Sequence, residues 1–246
     1  MQNQFDPRTK SGAFDPAVSV GVPSVARDAG LRSYMLKVYN YMASGVLLTG
    51  IIAMLFANSG MAAQVFQGGG LLPWVIILSP LAIVFAMSFG ANRMSAATLQ
   101  MLFWGFAGLM GLSMSTIFLV YTGTSIAQTF FAVAAAFMGL SLWGYTTKKD
   151  LSGMGTFLIM GVVGLLVAMV INMFLQSSAM MLAISAIGVL LFAGLTAYDT
   201  QRIKSLYFQI QGSEMLGKAA IMGALSLYLD FINMFQFLLA FMGDRR

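Results

Sequence analysis

Seven stretches of this chain are long, apolar and almost free of charge, and that pattern leaves few folds open. They run approximately 38–58, 71–89, 98–120, 125–145, 156–175, 179–198 and 219–242. The first six contain no Asp, Glu, Lys or Arg, and the seventh contains one, Asp230. A helix that crosses the hydrocarbon core of a bilayer needs about 20 apolar residues. Only 9% of the chain is charged and its mean hydropathy is +0.85, whereas a soluble domain carries roughly a quarter charged residues. Too little polar surface remains to cover a water-facing globule. The chain is predicted to be an all-α membrane protein with seven transmembrane helices.

Residues 1–33 differ in composition. They hold Pro7, Pro16 and Pro23 and most of the early charges, from Asp6 to Arg32. No apolar run follows the basic residues, so a secretory signal is not expected. The chain divides into a flexible, soluble arm, 1–33, and a transmembrane domain, 34–246. Lys and Arg placement then sets the orientation. With the N-terminus cytoplasmic, 11 of the 13 basic residues fall on the inner side, and only Arg245 and Arg246 fall outside. The outer loops near 59–70, 121–124 and 176–178 carry no charge. This favours seven spans with the N-terminus inside and the C-terminus outside. A six-span arrangement with a re-entrant last stretch is the alternative. The net charge of +5 reads as a topology signal, and no nucleic-acid partner is expected.

Several chemistries are excluded. Cys and His are both absent, which removes disulfides, Cys/His zinc sites and His-ligated haem. No Lys lies within a span to carry a retinal Schiff base. Small residues at three- and four-residue spacing suggest close helix packing: Gly105, Gly108 and Gly111, then Gly161 and Gly164, then Ala135 and Gly139. Pro80 sits mid-span and is expected to kink the second helix.

Two carboxylates stand apart. Asp230 falls near the middle of the seventh span, where an ionised group costs several kcal/mol unless paired or hydrated. Ser226 and Asn233 share its face, and Leu225, Leu229 and Ile232 form an apolar face opposite. Asp199 lies at the inner end of the sixth span. If that helix continues through Arg202, the two aspartates can meet, share a proton and titrate as a pair. Such a pair is a pH sensor working between roughly pH 6 and 8, well above the ordinary Asp range near 3.9. Its ionised form is a weak oxygen site for calcium, with water or Asn233 completing the six to eight ligands that ion takes. Asp199 can instead form an interfacial ion pair with Arg202. Arg93, at the inner end of the second span, is a candidate counter-charge for either Asp, or a positive-inside anchor.

The same stretches resemble the Bax inhibitor-1 family, the transmembrane Bax-inhibitor-motif proteins, in its bacterial form. The resemblance rests on GLTAYDTQRIK around Asp199 and GALSLYLDFINMFQFLL around Asp230, with GYTTKKDLSGMG at 144–155 and FAGLMGLSMSTIFLVYTG at 106–123. It covers about 34–242. It implies a bundle with the last helix central and the other six around it. It also implies a pH-sensitive calcium leak across a bacterial inner membrane, with Asp199 and Asp230 as the proton-sharing pair and Arg93 as the gating arginine. A non-transporting role, such as regulation of a membrane protease, is the alternative. An enzyme is not expected. Paired aspartates on neighbouring helices resemble an intramembrane aspartyl protease, but no Gly stands two places before Asp230 and no Pro follows Pro80. No cofactor is expected beyond calcium as a permeant ion.

Overall fold

The computed structural model describes residues 24–246 of the chain, with side-chain surroundings from residue 28. It is all helix, apart from turns and one isolated bridge. The helices are α1 (Ser24–Asn58), α2 (Met61–Gln67), α3 (Leu72–Gly90), α4 (Ala96–Met114), α5 (Ile117–Val120), α6 (Gly123–Thr146), α7 (Ser152–Leu175), α8 (Ser178–Ile210) and α9 (Met215–Met242). Seven helical segments are long and apolar enough to cross a membrane, with α4 and α5 together forming the third. The chain is an integral, multi-pass membrane protein.

Local chemistry sets the helix ends. Ser95, Thr122 and Ser177 each accept a bond from the backbone N–H three residues on, capping α4, α6 and α8. The third span is interrupted at residues 115 and 116. There Ser115 Oγ donates to the Leu112 carbonyl at 2.6 Å and Thr116 Oγ1 to the Ser113 carbonyl at 3.1 Å. Hydroxyls that bond back to the preceding turn compete with the helix ladder. The tight turn from α8 to α9 passes through Gly212 at φ 81°, a conformation that only Gly adopts without penalty.

Two helices run further than their apolar stretches. The sixth span continues as α8 to Ile210, because Thr196, Thr200, Ile203 and Tyr207 form a buried stripe at helical spacing. The first begins as α1 at Ser24, inside the segment expected to be a soluble arm. Leu31, Tyr34, Met35 and Val38 continue its buried face, and residues 1–23 lie outside the described part. α3 runs unbroken through Pro80, which is buried.

α9 is the most buried span, and its main neighbours are α8, α1, α6 and α4. α3 leans on α4, and α7 leans on α8. The expected apolar face of α9 is no lipid face, since Leu225 and Ile232 are as buried as Asp230. The small residues sort unevenly. A Cβ on Gly144 would overlap the Ala197 carbonyl oxygen, and one on Gly111 would lie 2.8 Å from that of Thr49, so the backbones of α6 and α8, and of α4 and α1, touch there. Gly161 takes the Leu191 side chain, whereas Gly139 and Gly164 face open space. Ala135 is exposed too, so the Ala135 and Gly139 pair faces outward and joins no helix interface.

Candidate functional site

The α8–α9 hairpin brings the two aspartates towards each other. Ile203 packs on Gly223 and Phe237 on Gly188, and these two contacts set the register. Asp199 then lies level with about Leu227, and Asp230 about one helical turn deeper. Asp230 is the sixteenth residue of the 28 in α9. It is 4% exposed, and its Oδ2 is buried with no hydrogen-bond partner. Asp199 is half-buried. The two carboxylates lie within electrostatic reach of each other, and Arg202 is the cation near Asp199.

The other expected site residues are placed differently. Asn233 is half-buried and its Nδ2 donates to the Leu229 carbonyl at 2.8 Å, so its amide N–H serves its own helix. Arg93 is exposed in the turn that follows α3, its backbone N–H donating to the Gly90 carbonyl. Among the described residues no group of three or more His, Cys, Asp or Glu could hold a metal ion. Two carboxylates can bind a hard cation only with several waters or carbonyls besides.

Polar groups that the sequence left inconspicuous frame the pair. Tyr228, two residues before Asp230, is fully buried and shares a 2.6 Å hydrogen bond with Thr49, which donates to the Ala107 carbonyl at 2.8 Å. That chain ties α9 to α1 and α4. Next to Asp199, Thr200 Oγ1 lies 2.9 Å from Ser141 Oγ, which is also bonded to Tyr39. That second chain ties α8 to α6 and α1. At the charged end of the bundle, the Gln201 side chain grips the α6–α7 loop. It accepts from the Leu151 N–H and donates to the Lys149 carbonyl, both at 2.8 Å. Lys204 donates to the Tyr145 carbonyl at 2.7 Å and sits over the Tyr145 ring. The one available signal was hydroxyl side chains recurring at helical spacing, as at Thr196 and Thr200.

These features define a class: a polytopic helical membrane protein whose most buried helix carries, near its middle, a carboxylate with one buried unpartnered oxygen, within electrostatic reach of a second carboxylate on the preceding helix. The chain belongs to the Bax inhibitor-1 family, because the family model described as inhibitor of apoptosis-promoting Bax1 matches residues 31–246. Similar chains occur across bacteria. A Rickettsia prowazekii protein is 48% identical over 220 residues, covering 89% of this chain and 92% of its own length. A Caulobacter vibrioides protein is 46% identical over 230 residues, covering 89% and 91%. The inner membrane protein YbhL of Escherichia coli K12 is 44% identical over 220 residues, covering 89% and 94%.

Proposed function

We propose that this chain is a pH-sensitive leak pathway for calcium, gated by a proton shared between Asp199 and Asp230. The observation that carries this reading is the buried, unpartnered oxygen of Asp230 within electrostatic reach of Asp199. A polar atom left unsatisfied in a membrane interior is costly, and such groups mark ion or proton paths. With one proton between them, the carboxylates can form a short hydrogen bond that ties α8 to α9. With none, they repel each other and attract a cation. Each state favours a different packing of the hairpin, so pH sets both the gate and its occupancy. The one-turn offset in depth means that closing the hydrogen bond draws the two helices along each other.

Arg93 is assigned a gating part in this scheme, pairing with a carboxylate in a closed arrangement that differs from the present one, where Arg93 is exposed. The membrane is the bacterial inner membrane, in keeping with the name of the Escherichia coli relative. The N-terminus is cytoplasmic, from the clustering of basic residues on one side. A C-terminal reporter active only in the cytoplasm would overturn that orientation.

The test is calcium flux into proteoliposomes of the pure protein from pH 5 to 8. Wild type should show flux whose rate changes between roughly pH 6 and 8. Asp230→Asn and Asp199→Asn should each flatten that response while the protein stays folded. Arg93→Ala should raise basal flux. If both Asp variants keep the wild-type midpoint, the shared-proton gate is wrong. If wild type shows no flux at any pH, the leak itself is wrong.

A further inference from the structure

α1 and α6 both stand on α8 and α9, and a cleft opens between them at the charged end of the bundle. Its volume is about 600 Å³. The side walls are apolar, and several of them, Leu36, Met138 and Leu142 among them, are largely exposed at its edge. Two of its uncharged polar residues, Tyr39 and Ser141, have their hydroxyls turned to each other, Ser141 continuing to Thr200, and Tyr145 is the third. The channel therefore offers an occupant mainly hydrocarbon contact. Among the described residues, charge is confined to one mouth, where Asp28 and Arg32 both line the cleft and are both exposed. They are four residues apart on α1 and so share a face. A negative and a positive group side by side, above an apolar channel that opens sideways into the bilayer, match one kind of molecule in both order and charge.

We propose that this cleft is a binding site for a single zwitterionic phospholipid with a primary amine headgroup, that is, a phosphatidylethanolamine. Arg32 takes the phosphate, for which its planar donors suit two oxygens at once. Asp28 takes the ammonium group. One acyl chain lies along the channel over the Tyr39–Ser141 pair. A choline headgroup has no N–H to give Asp28, and a glycerol headgroup leaves the phosphate charge unbalanced beside that carboxylate. The seat also adjoins the candidate site: the floor hydroxyl of Ser141 bonds to Thr200, the residue after Asp199.

The measurement is lipid retention by the delipidated full chain in detergent, read by native mass spectrometry. Phosphatidylethanolamine, phosphatidylglycerol and phosphatidylcholine with identical acyl chains are titrated separately. Wild type should retain phosphatidylethanolamine about five- to tenfold better than the other two, the scale of one charge-assisted contact. Asp28→Asn should erase the advantage over phosphatidylglycerol, and Arg32→Gln should lower retention of all three, since all three carry the phosphate. Leu142→Trp, a change at an exposed wall position, should lower retention of all three by filling the channel, with melting of each variant as the check on folding. Equal retention of the three lipids by wild type, or unchanged retention by Leu142→Trp, overturns the site. So does displacement by free phosphorylethanolamine, which has the headgroup and no chain. The readout does not involve ion flux, so it stands or falls separately from the leak.

Discussion

α7 and α9 are both spans, yet they are built by opposite rules. α7 has the higher mean hydropathy, 2.6 against 1.5, but only 11% of its span is buried inside the protein against 50% for α9. In water the most apolar helix would be the innermost. Lipid is as apolar as leucine, so apolarity alone does not drive a helix inward. What draws α9 in is shape and polarity. Gly223 admits Ile203, Tyr228 finds Thr49, and Asp230 is removed from hydrocarbon. Within this bundle the most polar span is the most buried and the greasiest is the least.

That contrast can be broken most sharply by truncation. Tyr228 in α9 packs edge-on against Phe103 and Phe106, so Tyr228→Ala should cost about 3 kcal/mol. Phe174→Ala in α7, at a side chain 76% exposed to lipid, should cost less than about 0.5 kcal/mol. Thermal melting in one detergent compares them, and equal losses would erase the distinction between the helices. Enlarging a glycine comes next. Gly223→Leu would push into Ile203, whose atoms already lie 3.2 to 3.3 Å from a built Cβ, and should cost about 1–3 kcal/mol. Gly164→Leu in α7, with nothing within 4 Å, should melt like wild type.

A smaller effect separates hydrogen bonding from packing. In a double-mutant cycle, Tyr228→Phe and Thr49→Val should show a coupling of about 0.6 kcal/mol and no more than about 1.7. A coupling indistinguishable from zero would mean that ring packing alone holds this contact. The smallest effect lies at the entrance of α7, outside the membrane. The Asp150 carboxylate accepts from the Ser152 N–H, and these bonds to Ser152 hold its pKa below the ordinary 3.8. The carboxylate therefore supports the helix start fully above about pH 4, and that support is lost as pH falls through the lowered value. Hydrogen exchange at Ser152 should quicken only in that acid range, and Asp150→Asn should remove the dependence.

The seven spans were legible because each is a run of residues that water would not tolerate. A helical extension past Asp199 was legible too, but its length to Ile210 was not, because charges end the apolar run at Asp199 while Ile203 and Tyr207 carry the buried face onward. The small residues misled for a related reason. Ala135 and Gly139 have the spacing of an interface, but spacing does not say whether a face meets a helix or a lipid tail. The aspartates stood out since nothing else acidic occurs in a span. Their surroundings did not, because the partners of Tyr228 and Thr200 are more than 50 residues away in the chain. No local pattern reports which distant hydroxyl completes a bond.

The burial of α9 also bears on how the molecule is made. α9 leaves the ribosome after the eight helices that precede it, although it supplies the faces on which α1, α4, α6 and α8 close. Until it arrives, Thr49 lacks its tyrosine and the aromatic rings of α4 lack their partner. The faces of α1, α4, α6 and α8 that pack on α9 have no protein to close on before that. Insertion of α9 is then the step expected to complete these contacts, and the same step carries the Asp230 carboxylate past the headgroups into the interior. Biogenesis thus asks the membrane to admit a carboxylate once per molecule, at the moment when neighbouring helices are ready to enclose it.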